Sequence, residues 1–126
     1  MSNESQTSVK AAIEGEIAAH AILVYGKGTK EVPRCGFTLE TIEFFNRFGY
    51  PFEVIDVLGD HAKRAALSEM TNWPTLPKVF INGTFYGDTD ILEPMLETGE
   101  LKEILREAFG GQEPQGTEII NLGASR

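Results

Sequence analysis

The stretch AILVYGKGTKEVPRCGFTLETIEFFNRF, residues 21–48, holds the pattern from which the fold is predicted. It opens with the short apolar run Ala21–Tyr25, which is typical of a strand buried on both faces. Residues 26–34 contain two glycines and a proline and predict a loop. From Cys35 onward the apolar residues return at helical spacing, until Gly49 provides a helix stop.

A second strand and a hairpin come after this stretch. Phe52–Val57 alternates apolar and acidic residues, which predicts a strand, and Asp60 caps the helix after it. Lys78–Ile81 predicts a third strand, and Asn82-Gly83 predicts a tight turn into a return strand over Thr84–Tyr86. Strand-helix-strand units pair in parallel through right-handed crossovers, whereas a hairpin adds antiparallel strands. We therefore expect an α/β protein with a four-stranded mixed sheet flanked by helices on both faces.

Helices also precede and follow the strands. Ser8 is expected to cap a helix that ends near His20, after a frayed N-terminus. Asp90 is expected to cap the first of two C-terminal helices, and Leu101–Phe109 forms the second. The predicted order is helix, strand, helix, strand, helix, two strands and two helices.

This order predicts one domain over residues 1–109, with its core over about 21–105. The remainder, Gly110–Arg126, is rich in glycine and polar residues, which predicts a flexible tail. The alternative is a docking element built from the tail's apolar residues, Ile119, Ile120 and Leu122.

Composition and charge exclude several classes of protein. The 126 residues carry 11 Lys and Arg against 19 Asp and Glu, a net charge of -8. Nucleic-acid binding needs clustered cations, so no nucleic-acid partner is expected. No apolar run approaches the roughly 20 residues of a membrane span, so no membrane association is expected either. The N-terminus lacks a basic segment followed by an apolar one, which predicts a reducing, cytoplasmic setting rather than secretion.

The single cysteine, Cys35, lies where the loop meets a helix. One cysteine excludes an intramolecular disulfide and a Cys-rich zinc site, which needs four ligands. At a helix N-terminus, unpaired N–H groups and the dipole stabilise a thiolate, and Lys27, Lys30 and Arg34 add positive charge. The alternative is a buried structural thiol. Thr38 stands where a resolving cysteine would be needed, so thiol chemistry requires an external partner, a small thiol such as glutathione.

Two further motifs flank the hairpin. Trp73-Pro74-Thr75-Leu76-Pro77 places two prolines around a threonine and predicts a rigid turn, in which sequence alone favours trans peptide bonds. Gly87-Asp88-Thr89-Asp90-Ile91 is a polar turn that opens a helix. It is interpreted either as an N-cap alone or as a corner that binds anionic and ammonium groups.

Together these motifs resemble those of a monothiol glutaredoxin. The match covers about residues 21–105 in the family order, and it is carried by Lys27-Gly28-Thr29, Pro33-x-Cys35-Gly36-Phe37-Thr38, Asn72-Trp73-Pro74-Thr75-x-Pro77, Asn82-Gly83 and Gly87-x-x-Asp90-Ile91-Leu92. The resemblance implies a thioredoxin-like fold, glutathione binding and a [2Fe–2S] cluster that bridges two subunits. It also implies a BolA-like partner and iron–sulfur client proteins.

The resemblance assigns roles to nine residues. Cys35 resembles the cysteine that reacts with glutathione and ligates the cluster. Lys27 and Arg64 resemble residues that meet the glycine carboxylate of glutathione, and Phe37 resembles one that offers a backbone contact. Thr75 and Leu76, together with a cis Pro77, resemble the edge that pairs with the backbone of the tripeptide. Thr89 and Asp90 resemble the pair that holds its γ-glutamyl end.

Two residues depart from the family pattern. Thr38 replaces the signature serine, which keeps the hydroxyl and adds a methyl group beside the thiolate. Asp88 replaces the second glycine before the γ-glutamyl corner. Because aspartate tolerates left-handed backbone better than most residues, the turn is expected to survive. Its charge is expected to weaken the hold on the γ-glutamyl carboxylate or to alter which partners approach.

Three functions fit these observations. The favoured one is a carrier, a homodimer or a heterodimer with a BolA-like protein, that stores and transfers [2Fe–2S] clusters in iron homeostasis. A four-thiolate cluster then needs two chains and two glutathiones, because each chain supplies one thiolate. The second is a glutathione-dependent oxidoreductase, at most a weak enzyme, that reduces glutathione mixed disulfides through Cys35. The third is an adaptor domain with an unreactive thiol.

Overall fold

A computed structural model describes the backbone of residues 2–114 and the side chains of residues 7–114. Within that part the helices and strands follow the predicted order: α1 (Ser2–Ala19), β1 (Ile22–Gly26), α2 (Gly36–Asn46), β2 (Glu53–Asp56), α3 (His61–Thr71), β3 (Lys78–Ile81), β4 (Thr84–Gly87), α4 (Thr89–Thr98) and α5 (Glu100–Ala108). None of these helices is long and apolar enough to cross a bilayer.

The four strands form one mixed sheet, as predicted, and their order in it is β2-β1-β3-β4. β1 and β2 are parallel and joined through α2, whereas β3 is antiparallel to both β1 and β4. Because of these directions, the ends of β1 and β4 and the start of β3 lie at the same edge of the sheet. Tyr25 of β1 is opposite Lys78 of β3, and Val79 is opposite Gly87 of β4.

Helices cover both faces of the sheet, and β1 divides its side chains between them. Ile22 and Val24 belong to one core with residues of α2, α4 and α5, while Leu23 and Tyr25 belong to a second core with residues of α1 and α3. All four side chains are at most 1% exposed. Successive side chains of a strand point to opposite faces, so the apolar run of β1 supplies both cores.

Two helices do not begin at the capping residue predicted for them. α1 begins at Ser2, so Ser8 lies inside the helix instead of capping it. Residues 2–7 contain neither glycine nor proline, and nothing in that segment ends a helix. α4 is capped by Asp88 instead of Asp90, since the Asp88 carboxylate accepts the N–H of Asp90 at 3.0 Å.

The chain after α5 packs against the domain as far as Pro114, so the predicted flexible tail does not begin at residue 110. The N–H of Gly111 donates to a carbonyl of α5, the Tyr50 hydroxyl donates to the carbonyl of Gln112 at 3.0 Å, and Pro114 is buried. Residues 115–126 lie outside the described part of the chain, and their flexibility stays a prediction, as does the alternative docking of Ile119, Ile120 and Leu122.

Glu16 ties α1 to the rest of the domain. One of its carboxylate oxygens accepts the Tyr25 hydroxyl at 2.7 Å, and the other accepts Lys63 Nζ of α3 at 2.7 Å. Because the Tyr25 side chain is fully buried, its hydroxyl needs this partner.

We expect Glu16→Ala to lower the free energy of unfolding by about 1–3 kcal/mol, the cost of leaving a buried hydroxyl unpaired. Lys10→Ala is the control, because it breaks an exposed ion pair of α1 with Glu69 (3.1 Å) and should cost less than about 1 kcal/mol. Urea unfolding of both variants measures the difference. Equal effects would mean that Glu16 does not anchor the helix.

Candidate functional site

The edge where β1, β3 and β4 meet carries a cleft of about 540 Å³. All nine residues predicted from the sequence line it: Lys27, Cys35, Phe37, Arg64, Thr75, Leu76, Pro77, Thr89 and Asp90. Four lining residues were not predicted as site residues: Glu40, Thr41, Pro74 and Asp88. Glu40 and Thr41 follow Phe37 by three and four positions on α2, a spacing that places them on the same helix face and could have identified them.

The first turn of α2 lies directly on the end of β1, and this contact brings Cys35 to the cleft. Cys35 is the N-cap of α2, with extended backbone at φ -150 and ψ 137. Three residues on, the fully buried Thr38 accepts the N–H of Lys27 on its Oγ1 at 3.0 Å. A Cβ atom added at Gly26 would lie 2.8 Å from the Thr38 methyl carbon. Glycine at position 26 therefore allows the helix to approach the strand.

A short loop holds Lys27 beside the thiol. The carbonyl of Lys27 accepts the N–H of Arg34 at 2.8 Å, which closes the loop just before Cys35. Gly28 has φ +93, and a Cβ there would lie 2.5 Å from the Arg34 nitrogen, so the position requires glycine. The Asp56 carboxylate accepts the N–H of Gly28 at 2.9 Å and so fixes the loop to the end of β2.

The surroundings of Cys35 lower the pKa of its thiol. The backbone N–H of Thr38 favours the thiolate most, partial burial opposes it, and the N–H of Phe37, the charge of Lys27 and the Thr38 hydroxyl add to the lowering. Cys35 is partly exposed, so it is not the buried structural thiol of the alternative interpretation. A partly exposed thiol with a lowered pKa has the environment of a reactive cysteine.

The segment Trp73–Pro77 forms the middle of the cleft. The Leu76–Pro77 peptide bond is cis, as the family resemblance implied and against the preference of the sequence alone. The almost fully buried Lys78 donates from Nζ to the carbonyl of Trp73, which holds the segment from below. Within this segment, Thr75 and Leu76 line the cleft.

The corner at the start of α4 closes the far side of the cleft. Gly87 has φ +83, and a Cβ there would lie 3.1 Å from Ile91 and 3.4 Å from the Trp73 ring. Asp88 has φ -140 and ψ -168, so the turn survives without placing this residue in left-handed backbone. Thr89 is buried and Asp90 is exposed.

Metal ligands are few in this region. Among the described side chains, no group of three or more His, Cys, Asp and Glu residues is placed to hold a metal ion. Cys35 is the one cysteine of the sequence. Any metal centre bound here through cysteine would therefore take its other thiolate ligands from outside the chain.

Comparisons with known proteins identify the family. The glutaredoxin family model matches residues 22–86, from the start of β1 to β4. A ycf64-like monothiol glutaredoxin of Synechocystis is 42% identical over 100 residues, which are 79% of this chain and 94% of the relative. This chain belongs to the monothiol glutaredoxins.

Other relatives and solved structures agree with this assignment. A probable monothiol glutaredoxin 2 of Rickettsia prowazekii is 37% identical over 75% of this glutaredoxin and 89% of its own length. The solution structure of reduced poplar apo GrxS14 has a TM-score of 0.71 at 32% identity, with 80% and 93% of the two chains covered. The crystal structure of a buckwheat glutaredoxin–glutathione complex shares the fold, with a TM-score of 0.75 at 23% identity. The match covers 83% of this chain and 94% of the buckwheat chain.

Two substitutions separate the contributions of Thr38. Thr38→Ser keeps the acceptor of the Lys27 N–H and removes the methyl group against Gly26, so it should cost about 1 kcal/mol of stability. Thr38→Val keeps the methyl and leaves that N–H unpaired, which should cost about 1–3 kcal/mol and raise the pKa of Cys35. Urea unfolding and the pH dependence of alkylation by iodoacetamide measure the two effects. If the pKa of Cys35 in Thr38→Val stays at its wild-type value, the hydroxyl has no part in the activation of the thiol.

Lys78 makes stability depend on pH in a defined direction. Burial lowers its pKa from 10.5 to about 8. At a pH between these two pKa values, the Lys78 side chain binds more protons in the unfolded chain than in the folded chain. Its contribution to stability therefore rises with pH. Lys78→Gln keeps an N–H donor without the charge. The free energy of unfolding of the wild type, taken relative to that of this variant, should rise by roughly 1–3 kcal/mol between pH 7 and pH 10. Thermal unfolding across this range tests it, and a constant difference would contradict the pKa.

Proposed function

We propose that this glutaredoxin binds glutathione in the cleft and, as a dimer, carries a [2Fe–2S] cluster that it stores or transfers. The observation that carries the proposal is a single thiol of lowered pKa in a cleft with cations at one end and carboxylates at the other. The chain has no second cysteine with which this thiol could pair.

The cleft matches the size and charges of glutathione. Its volume of about 540 Å³ is within the range of small-molecule sites, roughly 300–1,000 Å³. The glycine carboxylate of the tripeptide would bind at Lys27 and Arg64, and its backbone would lie along Thr75 and Leu76. The γ-glutamyl end carries the ammonium group and would bind near Asp90. In this direction the ligand's thiol would lie beside Cys35. Buckwheat glutaredoxin, which shares the fold, forms a complex with glutathione.

A shared cluster is the consequence of the number of thiolates. A [2Fe–2S] cluster with four thiolate ligands needs two Cys35 thiolates from two chains and two glutathione thiolates. The charge of Lys27 favours the anionic cluster. Val32 and Phe37 come before and after Cys35 in the sequence, and their side chains are 54% and 68% exposed. They offer apolar surface for a second subunit. That subunit would be another copy or a BolA-like protein, and iron–sulfur client proteins would receive the cluster.

The lowered pKa of Cys35 also favours a second function, the reduction of glutathione mixed disulfides. The Cys35 thiolate would attack the glutathione sulfur of a protein–glutathione disulfide, releasing the protein thiolate and leaving a Cys35–glutathione disulfide. A free glutathione thiolate would then attack that disulfide, releasing oxidised glutathione and restoring the Cys35 thiolate. No second protein thiol is needed.

Anaerobic reconstitution separates these functions. With ferrous iron, sulfide and glutathione, the protein should turn brown and elute as a dimer in size exclusion, whereas without glutathione it should do neither. Cys35→Ser should form no cluster under any condition. A stable cluster on a monomer, or on Cys35→Ser, would contradict the shared-cluster proposal. Turnover of a glutathionylated substrate without cluster formation would favour the oxidoreductase instead.

A further inference from the structure

The charged residues of the cleft are separated by sign along the order of the strands in the sheet. Arg64 follows β2 on α3 and Lys27 follows β1, so the cations lie at the β2 side. Thr75 and its neighbours precede β3 in the middle. Asp88 and Asp90 follow β4, so carboxylates lie at the opposite side. A ligand bound across this edge therefore meets the cations at one end and these two aspartates at the other, while a third carboxylate, that of Glu40, lines the cleft from α2.

Asp88 accepts the N–H groups of Asp90 and Ile91 in the first turn of α4. Its carboxylate accepts the N–H of Asp90 at 3.0 Å, and its carbonyl accepts those of Ile91 at 3.0 Å and Leu92 at 3.1 Å. The N–H groups of Asp90 and Ile91 are among those that make a helix N-terminus attractive to an anion, whereas the bond from Leu92 is a regular bond within the helix. A ligand carboxylate that bound the N–H of Asp90 would have to displace the side chain of Asp88 and would remain next to the carboxylate of Asp90.

We propose that Asp88 makes the α4 corner of the cleft selective for an ammonium group over a carboxylate, so that it sets ligand specificity. The inference rests on the proposed binding of glutathione, whose γ-glutamyl end carries both groups on one carbon atom. The carboxylate is repelled by two aspartates and finds the N–H groups of Asp90 and Ile91 already bonded, whereas the ammonium is attracted by both aspartates. Asp88 lines the cleft and is half-buried, which places its charge within the site.

Two analogues of glutathione test this selectivity. 4-Aminobutyryl-Cys-Gly keeps the ammonium and lacks the α-carboxylate, and glutaryl-Cys-Gly keeps the carboxylate and lacks the ammonium. Both retain the thiol and the glycine carboxylate. In anaerobic calorimetric titrations the wild type should bind the aminobutyryl analogue about tenfold more tightly than the glutaryl analogue.

Three variants identify the source of the preference. Asp88→Asn keeps the helix cap and removes the charge, so it should reduce the ratio of the two affinities by about threefold or more. Glu97→Gln removes the same charge from an exposed position of α4 outside the cleft and should leave the ratio unchanged. Lys27→Gln should weaken both analogues to a similar extent, because both carry the glycine carboxylate.

The outcomes distinguish this inference from the proposed function. Binding of glutathione and both analogues with equal affinity, or a ratio that Asp88→Asn leaves unchanged, would overturn the selectivity and leave glutathione binding intact. Failure of glutathione and both analogues to bind the folded wild type would overturn the proposed function together with the inference. Melting curves of Asp88→Asn establish that the variant is folded, and Asp88→Ser, which also caps a helix without a charge, replaces it if it is not.

Discussion

The hydrogen bond from the Lys27 N–H to the Thr38 hydroxyl oxygen is the contact on which the site depends. It joins the end of β1 to the first turn of α2, and the absence of a side chain at Gly26 makes the approach possible. Because Cys35 caps this same turn, the contact determines where the thiol lies and which N–H groups face it. The lowered pKa of the thiol, its position at the cleft and its closeness to Lys27 all depend on this one junction.

The rest of the cleft is assembled around the junction by the directions of the strands. β3 runs antiparallel to β1 and β4, so the segment before β3 and the corner after β4 arrive at the edge where β1 ends. The buried Lys78 holds the Trp73 carbonyl, and the Trp73 ring packs on Gly87, which connects the middle of the cleft to its α4 corner. Residues far apart in the chain are thereby held on rigid elements, an arrangement that suits the binding of one extended, dipolar ligand.

A single thiol limits the chemistry of this arrangement. It cannot form a disulfide within the chain, and it cannot complete a metal site alone, so each proposed function requires a thiol from outside. The cluster carrier and the oxidoreductase use the same cleft and the same thiolate, and they diverge only after glutathione has bound. The charge of Asp88 acts before either step, since it affects which charged group of a ligand the α4 corner accepts.

The order of helices and strands, the family and the nine predicted cleft residues could all be read from the sequence, because hydrophobic periodicity, turn residues and short motifs are local signals. The tertiary structure decided the features that depend on contacts between distant segments. Thr38 appeared in the sequence as a substituted signature residue, and only packing on Gly26 and Lys27 explains its methyl and hydroxyl groups. Asp88 was recognised as a departure, but its role as the cap of α4 depends on backbone angles. Neither the anchoring of α1 through Glu16 nor the packing of the chain up to Pro114 has a local signal, since each depends on partners brought close by folding.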